Sequence, residues 1–117
     1  MTKEETKGRT KTYALRVIRA VQALPNDRVA NVLGSQLLRA GTSVGANYRA
    51  VCRAKSTADF LNKLKIVEEE CDESRFWMEL LIESGILSPK KLGDLMKEGS
   101  EILAITVAAL KTTRQSN

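Results

Sequence analysis

The segment from Asp27 to Ala54 constrains this chain more than any other. Gly34, Gly41 and Gly45 sit there beside Ser, Thr and Asn, inside a run whose apolar residues keep helical spacing. Two readings compete: a glycine-rich phosphate loop, or a helix whose small residues allow close packing. A phosphate loop needs G-x-x-x-x-G-K-[ST] after a strand. Here the Gly41-to-Gly45 spacing is one residue short, Ala46-Asn47 replaces the lysine and hydroxyl residue, and the preceding residues do not read as a strand. At 100° per residue, Leu33, Leu37, Val44, Tyr48 and Val51 fall in one sector, a core face. One flank holds Gln36, Ala40, Ser43, Asn47, Ala50 and Ala54; the other holds Gly34, Leu38, Gly41, Gly45 and Cys52. Only Ser35, Thr42, Ala46, Arg49 and Arg53 remain outward, with Arg39 at the edge. An interior glycine costs a helix about 1 kcal/mol relative to Ala. Three are retained only where close approach recovers the loss. The segment is read as a central helix, with Gly34, Gly41 and Gly45 expected at a surface pressed against a neighbouring subunit.

The rest of the chain also reads as helix. The first helix is expected from Arg9 to Leu24, with Tyr13, Val17, Ile18, Val21 and Leu24 on one side, ended by Pro25-Asn26, where Asn26 can cap the next. The second covers Asp27 to Ala54. The third starts after Ser56, with Asp59 three residues on as a loose capping box, and continues to Ser84. Gly85 suits the left-handed stop position. Ser88-Pro89 is a cap followed by proline at the first helical position. The fourth runs from Pro89 to Thr112, with Leu92, Leu95, Met96, Gly99, Ile102, Leu103, Thr106 and Leu110 inward. Residues 1–8 and 113–117 are expected to be loose, leaving one domain over 9–112. Short connections imply an all-α, antiparallel up-down-up-down four-helix bundle.

Composition narrows the chemistry. There is no histidine among 117 residues, which removes the commonest general base and transition-metal ligand and the Glu-x-x-His pairs of a ferritin-like site. No catalytic residue, metal site or cofactor is expected. The longest apolar stretch, Ile102 to Leu110, is nine residues and includes a Thr, far short of the ~20 of a membrane span. The polar start MTKEETKGRTK lacks the apolar core of a signal peptide. The expected location is cytoplasmic, with reduced thiols.

The third helix carries two faces. Phe60, Leu64, Val67, Cys71, Ser74, Met78 and Leu81 form the first. Ile66, Glu70, Glu73, Trp77, Leu80 and Ser84 form the second. A bundle helix needs one apolar stripe, and a second would be an exposed patch in a monomer. Ile66, Trp77 and Leu80 are therefore expected at a subunit contact. If helices two and three form a hairpin turning near Lys55-Ser56, residues whose numbers sum to about 111 are level. Arg39 then lies opposite Asp72, Ser43 opposite Glu68 and Gln36 opposite Arg75. Gln36, Arg39, Ser43 and Asn47 are expected to form a polar seam with Glu70 or Glu73, fixing register more than adding stability. A carboxylate pair for acid–base work is the weaker reading of Glu70 and Glu73. On the same ruler Cys52 and Cys71 differ by 12 residues in height, ~18 Å at ~1.5 Å per residue, too far for a disulfide.

Charge is uneven. Residues 1–55 hold 11 basic and 3 acidic side chains; residues 56–117 hold 8 and 11. Arg9, Lys11, Arg16 and Arg19 crowd the first helix, and Arg49, Arg53 and Lys55 extend the basic surface from the second. A ring would repeat this surface and attract a polyanion. No aromatic platform interleaves with these cations, so contact with RNA or DNA is expected to be backbone-directed and salt-sensitive. The bland reading is a solvated face, or one paired with the acidic third helix of a neighbour.

Residues 36–87 carry a set that resembles one family. Gln36, Leu38, Arg39, Ser43, Val44, Asn47-Tyr48-Arg49, Ser56, Asp59-Phe60, Glu73-Ser74 and Trp77 match the pattern of the bacterial 23S ribosomal RNA intervening-sequence proteins. That family often has Glu after Asn-Tyr-Arg, where Ala50 stands here. The resemblance implies a four-helix bundle assembled as a homopentameric ring, cytoplasmic and without established enzymatic activity. It also implies association with RNA or DNA. A related bundle, the accessory protein of diversity-generating retroelements, works with a reverse transcriptase and nucleic acid. The alternative is a scaffold or accessory subunit that meets a protein partner without touching nucleic acid.

Overall fold

The computed structural model describes residues 1–116 as four helices: α1 (Lys3–Gln22), α2 (Arg28–Val51), α3 (Thr57–Glu83) and α4 (Pro89–Gln115). Each connection is five residues, so successive helices run antiparallel. The rod they form measures 48 × 20 × 19 Å. Neighbours around it are α1–α2, α2–α3, α3–α4 and α4–α1, the last seam being the sparsest.

Caps explain most boundaries. Ser56 Oγ accepts from Asp59 N at 3.0 Å, and Asp59 in turn accepts from Lys55 N, one residue earlier than a capping box would have it. Ser88 caps α4 with Pro89 at its first position. Gly85, at φ +80°, is the one residue of positive φ in the described chain, as the left-handed stop after α3 requires. The cap of α2 is Asp27, whose side chain accepts from Ala30 N at 2.9 Å. Asn26 instead accepts from Asn31 Nδ2. The first helix starts six residues before the expected Arg9. Thr2 and Glu5 form a reciprocal capping box, and Thr6 and Thr10 continue the buried stripe of Tyr13 and Val17 down to the N-terminus. These threonines bury because each hydroxyl bonds a carbonyl of its own helix, Thr6 to Thr2 O at 3.0 Å and Thr10 to Lys7 O at 3.1 Å. At the other end, α4 runs three residues past the expected Thr112; Asn117, within the segment expected to be loose, lies outside the described residues.

The core holds Tyr13, Val17, Leu37, Val44, Val51, Leu64, Val67, Cys71, Met78, Leu81, Leu92, Ile102 and Leu110. A polar node crosses it. Tyr13 reaches from α1 to Ser74 on α3, with the two hydroxyls 2.8 Å apart, and Ser74 donates to Cys71 O at 2.7 Å. The Cys71 thiol lies 3.3 Å from Gly99 O. Gly99 leaves room for the phenol, since a Cβ there would stand 2.7 Å from Tyr13 Oη. Burial raises the Tyr13 pKa and pushes the Cys71 thiol up to about 12. Both stay neutral at physiological pH. Cys52 and Cys71 are free thiols.

Candidate nucleic-acid and assembly surfaces

The glycines of α2 do permit close approach, but the surface they meet is α1 of the same chain. A Cβ at Gly41 would stand 2.7 and 2.8 Å from the two Val17 methyls, one at Gly34 2.7 Å from Leu24 Cδ1, and one at Gly45 3.2 Å from the carbonyl oxygen of Thr10. All three lie in the α1–α2 seam, which corrects their assignment to a contact between subunits.

The seven basic candidates divide into separate places. Lys11, Arg49 and Arg53 line a groove between α1 and α2, together with Lys3, Lys7, Glu4, Ala14, Thr42, Gly45, Ala46 and Cys52. Lys55 lies at the end of the bundle, beside Lys3 and Phe60. Arg16 and Arg19 look the other way, over the α1–α4 seam, where Lys91 joins them above Leu92 and Leu95. Arg9 is engaged elsewhere. Its guanidinium donates two 2.7 Å bonds to the Glu98 carboxylate on α4, with Glu101 at 3.6 Å. The Arg9 bonds hold the Glu98 carboxyl below the usual carboxylate range, and the carboxylate raises the Arg9 pKa in return. Arg9 therefore ties α1 to α4 across the sparsest seam and adds little to a free cationic surface. Lys3 and Lys7 belong to the groove and escaped the sequence reading, which placed them in a loose segment. Their spacing from Lys11, four residues at each step, was the available signal.

The polar seam exists in reduced form. Arg39 bonds Glu73 and lies 3.5 Å from Glu70, and Trp77 Nε1 donates to Glu73 Oε1 at 3.2 Å. Ser43 and Asn47 do not cross to α3; Ser43 Oγ donates to Arg39 O at 2.6 Å and Asn47 Nδ2 to Ser43 O at 2.8 Å, both inside α2. Short polar side chains find the carbonyl one turn back more readily than a partner on another helix. Gln36 makes no side-chain hydrogen bond among the described residues. The Arg75 guanidinium turns to Asp72 and to Ser100 on α4, rather than to Gln36. Glu70 and Glu73 are thus charge-paired.

Around this trio the α2–α3 surface is apolar and open. Ile66 is 42% exposed, Phe76 49%, Val29 56% and Val32 57%. Trp77 and Leu80 are half-buried, and Phe76 meets the Trp77 ring edge-on at 5.2 Å. Val29, Val32, Gln36 and Arg39 share one side of α2 by helical spacing, and the register fixed by Arg39 sets Val32 level with Leu80. Phe76, Val29 and Val32 were not among the sequence candidates, because nothing in the pattern alone separates an open apolar position from a core one. Among the described residues there is no group of three or more His, Cys, Asp or Glu placed to hold a metal ion, and no helix is long and apolar enough to cross a membrane.

Fold and surfaces together define a small antiparallel four-helix bundle with a cationic groove between α1 and α2 and an open apolar face on α2–α3. The family model described as 23S rRNA-intervening sequence protein matches residues 4–108, and the chain belongs to that family. The match takes in most of the flanking helices as well as the signature of α2 and α3. The fold is also that of a crystal structure of a protein of unknown function from the S23 ribosomal protein family of Bacteroides thetaiotaomicron. That protein is 32% identical, with a TM-score of 0.88 over 95% of this chain and 99% of that one. No curated protein matches this chain.

Proposed function

We propose that this chain is a non-catalytic nucleic-acid-binding protein that works as a homo-oligomer. The α2–α3 face around Ile66, Trp77 and Leu80 meets another copy, and the basic residues of α1 and α2 are displayed outward to RNA or DNA. The observation that carries the reading is the group of exposed cations in the α1–α2 groove, Lys11, Arg49 and Arg53, none of which has an ion-pair partner among the described residues. Unneutralised, closely spaced cations are what a polyanion recruits, through counterion release. The ring of five implied by the family resemblance multiplies that surface. Membership in a family described by an rRNA intervening sequence favours RNA as the ligand, and a cytoplasmic location follows from the same reading.

The test is titration of labelled structured RNA across a salt series. The reading expects binding that weakens steeply as salt rises and that charge reversal on the basic surface diminishes. Absence of binding at low salt would end it and favour the alternative, a scaffold whose open apolar face recruits a protein partner.

A further inference from the structure

The cations are not a diffuse coat; they are arranged as two rows. Lys3, Lys7 and Lys11 recur every fourth residue along α1, so each step along the helix axis is about 6 Å. Arg49, in the last turn of α2, and Arg53, two residues past its end, form the other wall, and all five cations line one groove. Its floor is small: Ala14, Thr42, Gly45 and Ala46. Gly45 is what lets the rows come together, because a side chain there would press on the α1 backbone at Thr10. The sole acid lining the groove is Glu4, already within 3.4 Å of Lys7 Nζ. No aromatic side chain is present in the lining, so nothing there would stack a base.

Resting on the nucleic-acid reading above, we infer that the α1–α2 groove holds one sugar–phosphate strand by its backbone, with the bases turned outward. The step of the lysine row is close to the separation of successive phosphates along a strand. Two cationic walls over a floor of methyl groups and glycine admit a chain one strand wide. Recognition of this kind positions the strand without reading sequence. Arg16, Arg19 and Lys91, on the α1–α4 side, lie outside the site.

The experiment measures binding of a short fluorescent oligouridylate by anisotropy over a range of salt. Wild type is compared with K11E/R49E in the groove and with R16E/R19E on the other side, a pair of variants of equal net charge. Circular dichroism melts establish that each is folded. Five cations bound the slope of log K against log salt at about −3.5 per groove for a single strand. The K11E/R49E protein should bind at least about tenfold more weakly, with a slope shallower by about 1.4, while R16E/R19E changes affinity less than about threefold. Equal weakening by the two variants would show that net charge alone governs binding; the groove would be refuted and the broader reading kept. Stronger loss in R16E/R19E would move the site to the α1–α4 side. If duplex RNA displaces the oligouridylate while single strands do not compete, the one-strand assignment fails. No binding by the wild type would remove both readings together.

Discussion

A single methyl group decides the α1–α2 seam at Gly41. Alanine there would gain helix propensity of about 1 kcal/mol, yet its Cβ would sit 2.7 Å from a methyl of Val17. Val17 is fully buried and β-branched, so it has little freedom to yield. G41A should therefore lower stability by about 1–3 kcal/mol, as overpacking does, and V17A in the same chain should return part of the loss. Gly93 supplies the converse. It is exposed, with nothing within 4 Å of an added Cβ, and G93A should raise stability by about 0.5–1 kcal/mol. Chemical denaturation of the three variants checks both signs; equal effects at Gly41 and Gly93 would mean that the seam is not close-packed. Glu98 gives a pH signature. Its carboxyl is held below the ordinary value of 4.5 by the bonds from Arg9. A depressed folded pKa contributes stability that is complete above 4.5 and lost as pH falls through the folded value. E98Q should cost about 1–2 kcal/mol at neutral pH and flatten the fall in melting temperature below pH 4.5. The sequence held the glycines and the need for close approach. It did not hold the partner: a small-residue stripe is the same whether α1 or another subunit presses on it.

At the scale of the element, the four helices and most of their ends were legible because caps are local. Ser56, Gly85 and Ser88-Pro89 each act within a turn of where they stand. The start of α1 was not legible, because Thr6 and Thr10 fill core positions that an apolar pattern does not mark. T2A, which removes the first hydroxyl of the capping box, should cost about 1 kcal/mol and fray the residues that carry Lys3 and Lys7. The polar seam was legible in its long members and not in its short ones. Arg39 has the reach to cross from α2 to α3, whereas Ser43 and Asn47 are satisfied by their own helix. Arg39 is about half exposed, so its ion pairs are screened and R39A should cost about 1 kcal/mol. R28A, which removes an exposed cation without an ion pair among the described residues, should cost much less. Indistinguishable melting temperatures for R39A and R28A would deny the seam any part in holding α2 against α3.

Across the whole molecule, adjacent faces that share α2 are specialised. The α1–α2 side is cationic, and the α2–α3 side carries Val29, Val32, Ile66 and Phe76 open to solvent in the single chain, with Trp77 half-buried among them. A water-exposed apolar face of this kind is the mark of a contact surface, and the proposed homo-oligomer would bury it while repeating the basic groove in every copy. The account therefore stands on what covers Trp77, the chain's one tryptophan. Sedimentation equilibrium at low micromolar concentration, with iodide quenching of tryptophan fluorescence on the same sample, tests this most directly. The account predicts a mass of several chains, five if the ring closes as the family resemblance implies, and a tryptophan shielded from iodide until I66D splits the assembly into folded single chains. A wild-type protein that sediments as one folded chain, with its tryptophan freely quenched, would contradict it.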